Sequence, residues 1–277
     1  MCEEKYLFFD MDGTLISPET HKIPESAILG IRQAMANGHR CFICTGRSYV
    51  MAQEHFDALA LPGIVFCNGA GIAYEGNILE TRNIHPTVVK RVVDMAQALG
   101  GGFSLQTTHF TYQNQSERDR ILHRWYNRST DGTIEEMIKR RAMKMIDAYQ
   151  NEPVQKIDIS FSSELTADVF FSRVPRSLSV VVAGGYYASM GRTGGELTAN
   201  GVTKGTGIMR VLDMFSGNAQ NAYGFGDSSN DIEMLQVCGT GVAMGNGKEV
   251  CKRNADYITD DVDHDGIYHA LQHFGLI

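Results

Sequence analysis

The stretch Phe8-Phe9-Asp10-Met11-Asp12-Gly13-Thr14-Leu15 constrains this chain more than any other. The apolar run from Tyr6 to Phe9 reads as a strand that delivers two carboxylates, one residue apart, to a glycine where the chain must turn. Side chains alternate faces along an extended strand, so Asp10 and Asp12 set out on the same side. Two like charges that close are costly unless a cation lies between them or one is protonated. The octapeptide therefore has two readings. It is a metal site with catalytic carboxylates, or a strand ending in a polar turn, which Asp and Gly favour on backbone grounds alone.

The surrounding pattern narrows the fold. A helix begins near Pro24, with Ile28, Ile31 and Met35 on one face, and Asn37-Gly38 closes it. The strand Cys41 to Cys44, a helix over 48–60 and the strand Ile64 to Cys67 follow. This β-α-β-α-β rhythm, with apolar strands that do not alternate, predicts a parallel sheet covered on both faces. A hairpin turning at Glu75-Gly76-Asn77 then introduces a different section. That section carries a helix from Pro86 to Leu99, strands over 103–107 and 110–113, and helices over 116–128 and 134–149. A half-buried strand over 154–161, a helix over 164–174 and strands over 178–182 and 186–189 complete it. From Asn200 the first rhythm returns, with a helix opened by Thr203-Lys204-Gly205 and strands at 222–225 and 241–244. The expected architecture is α/β: a doubly wound, Rossmann-like parallel-sheet core with an inserted α+β cap domain. The core takes residues 1–83 and 191–277 and the cap 84–190.

In open α/β sheets, ligands bind beyond the carboxyl ends of the strands. At such ends lie Asp10 and Asp12, Thr45-Gly46, Asn68-Gly69 and Gly226-Asp227-Ser228-Ser229-Asn230-Asp231, with Lys204 at a helix start. Carboxylates suit a hard cation such as Mg²⁺, which takes oxygen ligands. Helix N-termini and a lysine suit a phosphate. A site combining the two is equipped for phosphoryl transfer. Taken singly, each motif also has a plain structural reading: Thr45 as a helix cap, Lys204 as a surface lysine, Asn68-Gly69 as a turn.

Taken in order, Asp10-Met11-Asp12-Gly13-Thr14-Leu15, Thr45-Gly46-Arg47, Lys204-Gly205 and Gly226 to Asp231 resemble the motifs of the haloacid dehalogenase superfamily of phosphohydrolases. Asn68-Gly69-Ala70 and the tail from Gly241 to Asn246 through Asp265-Gly266-Ile267 narrow the resemblance to the Cof-type sugar-phosphate phosphatases. The resemblance implies that Asp10 is the nucleophile and Asp12 the general acid and base. It implies Mg²⁺ held by Asp10, the Asp12 backbone carbonyl and Asp227, with Asp231 or Ser228 acting directly or through water. It assigns phosphoryl oxygens to Met11 N–H, Thr45, Gly46, Lys204 and Asn230, and leaves Arg47 outside the site. The implied activity is hydrolysis of a small phosphorylated metabolite, a sugar phosphate, through an aspartyl-phosphate. The alternatives are a phosphomutase, a flavin, pyridoxal or nucleotide phosphatase, and a phosphometabolite-binding regulator with residual turnover.

Charge and composition exclude other classes. A net charge of −7 over 277 residues argues against a broad nucleic-acid or anionic-membrane surface. The start, Met1 to Lys5, is charged and runs into a strand, and no apolar run approaches a membrane span. The expectation is a cytoplasmic monomer or homodimer. Cys41 and Cys44 form a Cys-x-x-Cys, but an extended segment sends them to opposite faces and no second ligand pair completes a zinc set, so they read as buried apolar residues. Basic residues at 118, 120, 124, 128, 139, 140, 141 and 144 read as a solvated helical face.

Overall fold

Four buried residues, Tyr6–Phe9, form β1. Phe8 and Phe9 are fully buried, and each such side chain contributes about 1.5–3 kcal/mol relative to exposure. The strand is central to its sheet, paired on both edges with parallel strands, and its side chains on both faces are buried. The computed structural model describes residues 3–128, 133–182 and 193–277. Among these the chain divides into two units. One comprises Met1–Arg47, Glu54–Glu80 and Thr203–Ile277, and the other Ser48–Gln53 and Thr81–Val202.

In the first unit, α1 (Glu25–Ala36) leads to β2 (Arg40–Cys44), and α2 (Tyr49–Leu59) to β3 (Gly63–Phe66). Next come β4 (Gly71–Tyr74) and β5 (Asn77–Thr81). β1 pairs in parallel with β2 on one side and with β12 (Ala222–Gly226) on the other. Beyond β12 lie β13 (Thr240–Ala243) and β14 (Tyr257–Ile258). The sheet order is β14-β13-β12-β1-β2-β3-β4-β5, with β4 turning back antiparallel against β3. The chain leaves β1 in one direction and returns to its other side only after the insertion. β1 is thus the switch point of a doubly wound sheet, where such folds place ligands.

The second unit is α+β. Its sheet runs β10 (Leu178–Val182), β11 (Thr193–Ala199), β9 (Lys156–Phe161), β6 (Gly102–Gln106), β7 (Thr111–Gln113) and β8 (Met143–Met145). On its apolar face Phe103, Leu105, Ile157, Ile159 and Leu197 cluster with Val89, Val92 and Ala96 of α3 (Pro86–Ala98), whose spacing makes one helical stripe. Pro86 stands at the first helical position and the His85 side chain accepts from Thr87 N–H, which sets where α3 begins.

Two expectations are corrected here, and one strand was not foreseen. The segment 134–149 is not one helix: α5 (Ile134–Arg140) stops short, Ala142 takes a left-handed φ of 45°, and Met143–Met145 pairs in parallel with β7. Strand 156–161 is buried on both faces, because its polar side chains Lys156 and Ser160 are themselves covered. Strand Thr193–Ala199, whose two glycines hid its alternation, lies between β9 and β10. The strand expected over 186–189 falls outside the described residues.

Candidate active site

The register of the central strands puts the site's residues on one edge. Phe9 lies opposite Ile43 on one side and Phe225 on the other, and Asp10 N–H continues the ladder to Phe225 O at 2.9 Å. Asp10, Thr45 and Asp227 therefore emerge together from three parallel strands. Asp10 is 5% and Thr45 1% exposed.

Lys204 reaches this edge from α7 (Lys204–Met214), whose start is capped by Thr203 and Thr206 in a reciprocal box. A turn positions that helix. Gly69 has φ +95°, and a Cβ there would come within 2.0 Å of Thr203 O. Only glycine permits both the left-handed turn and this approach. Arg210 on the same helix donates to Gly69 O, tying the two elements twice. The Asn68-Gly69 motif thus sets where the lysine stands.

Lys204, side chain wholly buried, donates to Asp10 Oδ1 at 2.5 Å and to Asp231 Oδ1 at 2.6 Å. Asp231 Oδ2 accepts from Ser228 N–H at 2.9 Å and Asp227 N–H at 3.1 Å. It thereby shapes the loop that presents Asp227. Thr14 donates to Asp227 Oδ1 at 3.2 Å, and Asn246 fastens the turn by donating to Gly13 O at 2.7 Å. Gly13, at φ +92°, lies so close that a Cβ would meet Asp227 Oδ2 at 2.6 Å. Carboxylate oxygens of Asp10, Asp227 and Asp231 all lie within 4.8 Å of one another.

Charge in this cluster is unbalanced. Burial, then the Asp231 charge, pushes the Asp10 carboxyl well above the usual aspartate range, against the opposing pull of Lys204. Burial and Asp231 likewise raise Asp227 to about 6. The Lys204 ammonium, though desolvated, is held protonated by Asp10 and Asp231. Three carboxylates around one ammonium leave surplus negative charge in a poorly solvated place, and all the donors are oxygens. The residues fit a hard divalent cation.

Asp12 differs. It is exposed, and its carboxylate lies outside that cluster, gripped by Arg47. Desolvation by its neighbours would raise this carboxyl, but the Arg47 charge and hydrogen bonds outweigh that and hold it below the ordinary aspartate range. Thr45 Oγ1 accepts from Arg47 N–H at 3.1 Å, which leaves its own hydroxyl proton for an anion. Asn230 donates to Asn68 Oδ1 at 3.2 Å, and Asn68 Oδ1 would lie 2.9 Å from a Cβ on Gly46, so these three residues stand together. Met11 is buried, and its carbonyl accepts from Leu15 and Ile16 in the turn. Thr14 and Asn246 were given no role by the sequence and Arg47 was left outside the site, although all three sit inside the quoted motifs.

A family model described as haloacid dehalogenase-like hydrolase matches residues 7–271. The chain belongs to that family. It is 26% identical over 274 residues to the 5-amino-6-(5-phospho-D-ribitylamino)uracil phosphatase YcsE of Bacillus subtilis, covering 98% of this chain and 96% of the relative. It is 23% identical over 273 residues to the pyridoxal phosphate phosphatase YbhA of Escherichia coli, covering 95% and 96%. Among solved structures, the HAD subclass IIB sugar phosphatase BT4131 is 30% identical, with a TM-score of 0.80 over 99% of this chain and all of the other. This hydrolase therefore has full-length phosphatase relatives. Among its described residues, no helix is long and apolar enough to cross a membrane.

Proposed function

We propose that this phosphatase hydrolyses a small phosphorylated metabolite, a sugar phosphate, through an aspartyl-phosphate on Asp10. The observation that carries the reading is the buried Asp10–Lys204–Asp231 chain beside Asp227. One Asp10 oxygen is fixed by the ammonium, and the other is left to attack. In the first step Asp10 bonds to phosphorus, and the departing oxygen takes a proton from Asp12. In the second, Asp12 takes a proton from water, whose oxygen displaces Asp10 and releases phosphate. The Arg47 pair favours the carboxylate form of Asp12, which the second step needs. The approach of a dianionic ester favours the protonated form, which the first step needs.

Lys204, Thr45, Gly46 N–H, Met11 N–H and Asn230 would hold phosphoryl oxygens. The carboxylates of Asp10 and Asp227 and the backbone carbonyl of Asp12 would hold Mg²⁺, which supplies further neutralisation of the phosphoryl charge. The sugar-phosphate assignment is supported by the likeness to BT4131, named as a sugar phosphatase. YcsE and YbhA, named for other phosphate esters, define the competing substrates.

The test is rapid acid quench during turnover, followed by intact-protein and peptide mass analysis. One phosphoryl group on Asp10 is expected, appearing before free phosphate. Phosphate release without any labelled Asp10 under single-turnover conditions would remove the covalent step. A panel of sugar phosphates, pyridoxal phosphate and phosphoribitylamino-uracil ranks the substrates, and an isomerised ester without phosphate release would indicate a mutase.

A further inference from the structure

Arg47 touches no reacting atom in the chemistry proposed above, yet it grips the Asp12 carboxylate with both ends of its guanidinium. Its Nε donates to Asp12 Oδ2 at 2.9 Å and its Nη2 to Asp12 Oδ1 at 2.5 Å, so one guanidinium takes both carboxylate oxygens. Planar two-point recognition of this kind fixes orientation as well as position. The main chain behind the fork is pinned on both sides. Arg47 N–H donates to Thr45 Oγ1 at 3.1 Å, and Arg47 O accepts from Cys67 N–H at 2.8 Å. Cys67 itself is buried and left-handed at φ 49°. The guanidinium therefore starts from a point set by two strand ends of the site.

The fork has a specific consequence for Asp12. The other three carboxylates gather their oxygens within 4.8 Å of one another, and Asp12 does not join them. It stands two residues from Asp10, close enough for its charge to act on Asp227. A divalent cation attracted to that cluster also attracts any carboxylate within reach, since hard cations take further oxygen ligands readily. A carboxylate bound to the cation cannot carry a proton to the leaving oxygen.

We propose that Arg47 is a positioning residue that holds the Asp12 carboxylate apart from the Asp10–Asp227–Asp231 cluster and so keeps it from becoming an additional metal ligand. The proposal rests on the aspartyl-phosphate reading, in which Asp12 is the proton carrier. Lysine, a point charge without the fork, would perform the task less well.

The test compares wild type with Arg47→Gln, Arg47→Lys, Asp12→Asn and the double variant Arg47→Gln/Asp12→Asn. Two esters are used: p-nitrophenyl phosphate, whose leaving group departs without a proton, and glucose 6-phosphate, whose leaving group needs one. Mn²⁺ affinity is measured separately on substrate-free protein by electron paramagnetic resonance. Arg47→Gln is expected to lower kcat on glucose 6-phosphate on the order of 10²-fold, with only a small change on the nitrophenyl ester. It is expected to bind Mn²⁺ roughly 10-fold more tightly. Both effects should vanish in the Asp12→Asn background, and Arg47→Lys should fall between.

Equal losses on the two esters, or unchanged Mn²⁺ affinity in a folded variant, overturn the positioning role. If thermal melts show Arg47→Gln unfolded, Arg47→Lys carries the same comparison. Failure of the wild type to release phosphate from either ester would instead sink the phosphatase chemistry, so the two failures are distinguishable.

Discussion

Both units bury ionised side chains, and they balance them differently. In the inserted unit Glu117 and Arg120, with side chains 2% and 6% exposed, face each other one turn apart on α4 (Gln115–Arg128), and Ser160 donates to the same carboxylate at 2.9 Å. In the core, the Lys204 ammonium serves Asp10 and Asp231 while Asp227 adjoins them. An unmatched buried ion costs several kcal/mol. The first cluster is matched as it stands, and the second is matched only when more positive charge arrives. Charge balance, more than burial, separates polar groups that hold a fold together from polar groups made to hold a ligand.

The strongest break in this contrast is Asp10→Asn. It should lower turnover by roughly 10⁴-fold or more while circular dichroism stays unchanged, since the loss is chemical. Next, Lys204→Met and Arg120→Met each strand buried carboxylates, at about 3–5 kcal/mol apiece. Denaturant unfolding in EDTA should show both losses. Added Mg²⁺ should recover part of the Lys204→Met loss and none of the Arg120→Met loss. Lys204→Met should also lower kcat on the order of 10²–10³-fold. Equal recovery of the two variants would contradict the distinction drawn here.

A pH series sharpens it further. Asp10 and Asp227 hold protons more tightly folded than unfolded, so the native state binds more protons and stability falls as pH rises. For Asp227 the span runs from 3.8 to about 6, and Asp10 extends the trend upward. Metal-stripped protein should melt several degrees lower at pH 7 than at pH 5, with Mg²⁺ restoring the difference at pH 7 and Asp227→Asn flattening the slope. The smallest effect concerns single hydroxyls. Thr14→Val should weaken metal binding about 10-fold. Ser160→Ala should cost about 1 kcal/mol of stability and leave metal affinity unchanged.

The core was legible because its signals are local and repeated. Apolar strands such as Tyr6–Phe9 run into Asp10, Thr45 and Asp227 in a fixed order, and their convergence follows from parallel pairing alone. The inserted unit was legible only in part. Thr193–Ala199 carries a glycine pair that blurs a period of two, and its place between β9 and β10 depends on long-range pairing. Residues 134–149 keep a helical pattern past the point where Ala142 turns left-handed, and pairing with Thr111–Gln113 overrides it. At the site, the residue types pointed to a gathering of carboxylates around Lys204, but the partners of Asp12 and Asp227 did not show. Arg47 and Thr14 act by direction, and direction is a property of the folded turn.

The switch-point strand also sets an order of assembly. All the strands of the six-stranded sheet lie between Gly102 and Ala199, and β6 with β7 and β10 with β11 pair as consecutive antiparallel strands. β1, by contrast, waits for Ala222–Gly226, from which the whole inserted unit separates it in sequence. Local pairings form early and distant ones late. As the polypeptide emerges from the ribosome, the inserted sheet can be complete while Asp10 still stands on a strand with one edge bare. Asp10 meets Lys204 and Asp227 only once the second stretch of the core has been made, so a chain cut short after Val202 can hold the inserted unit and no assembled carboxylate cluster.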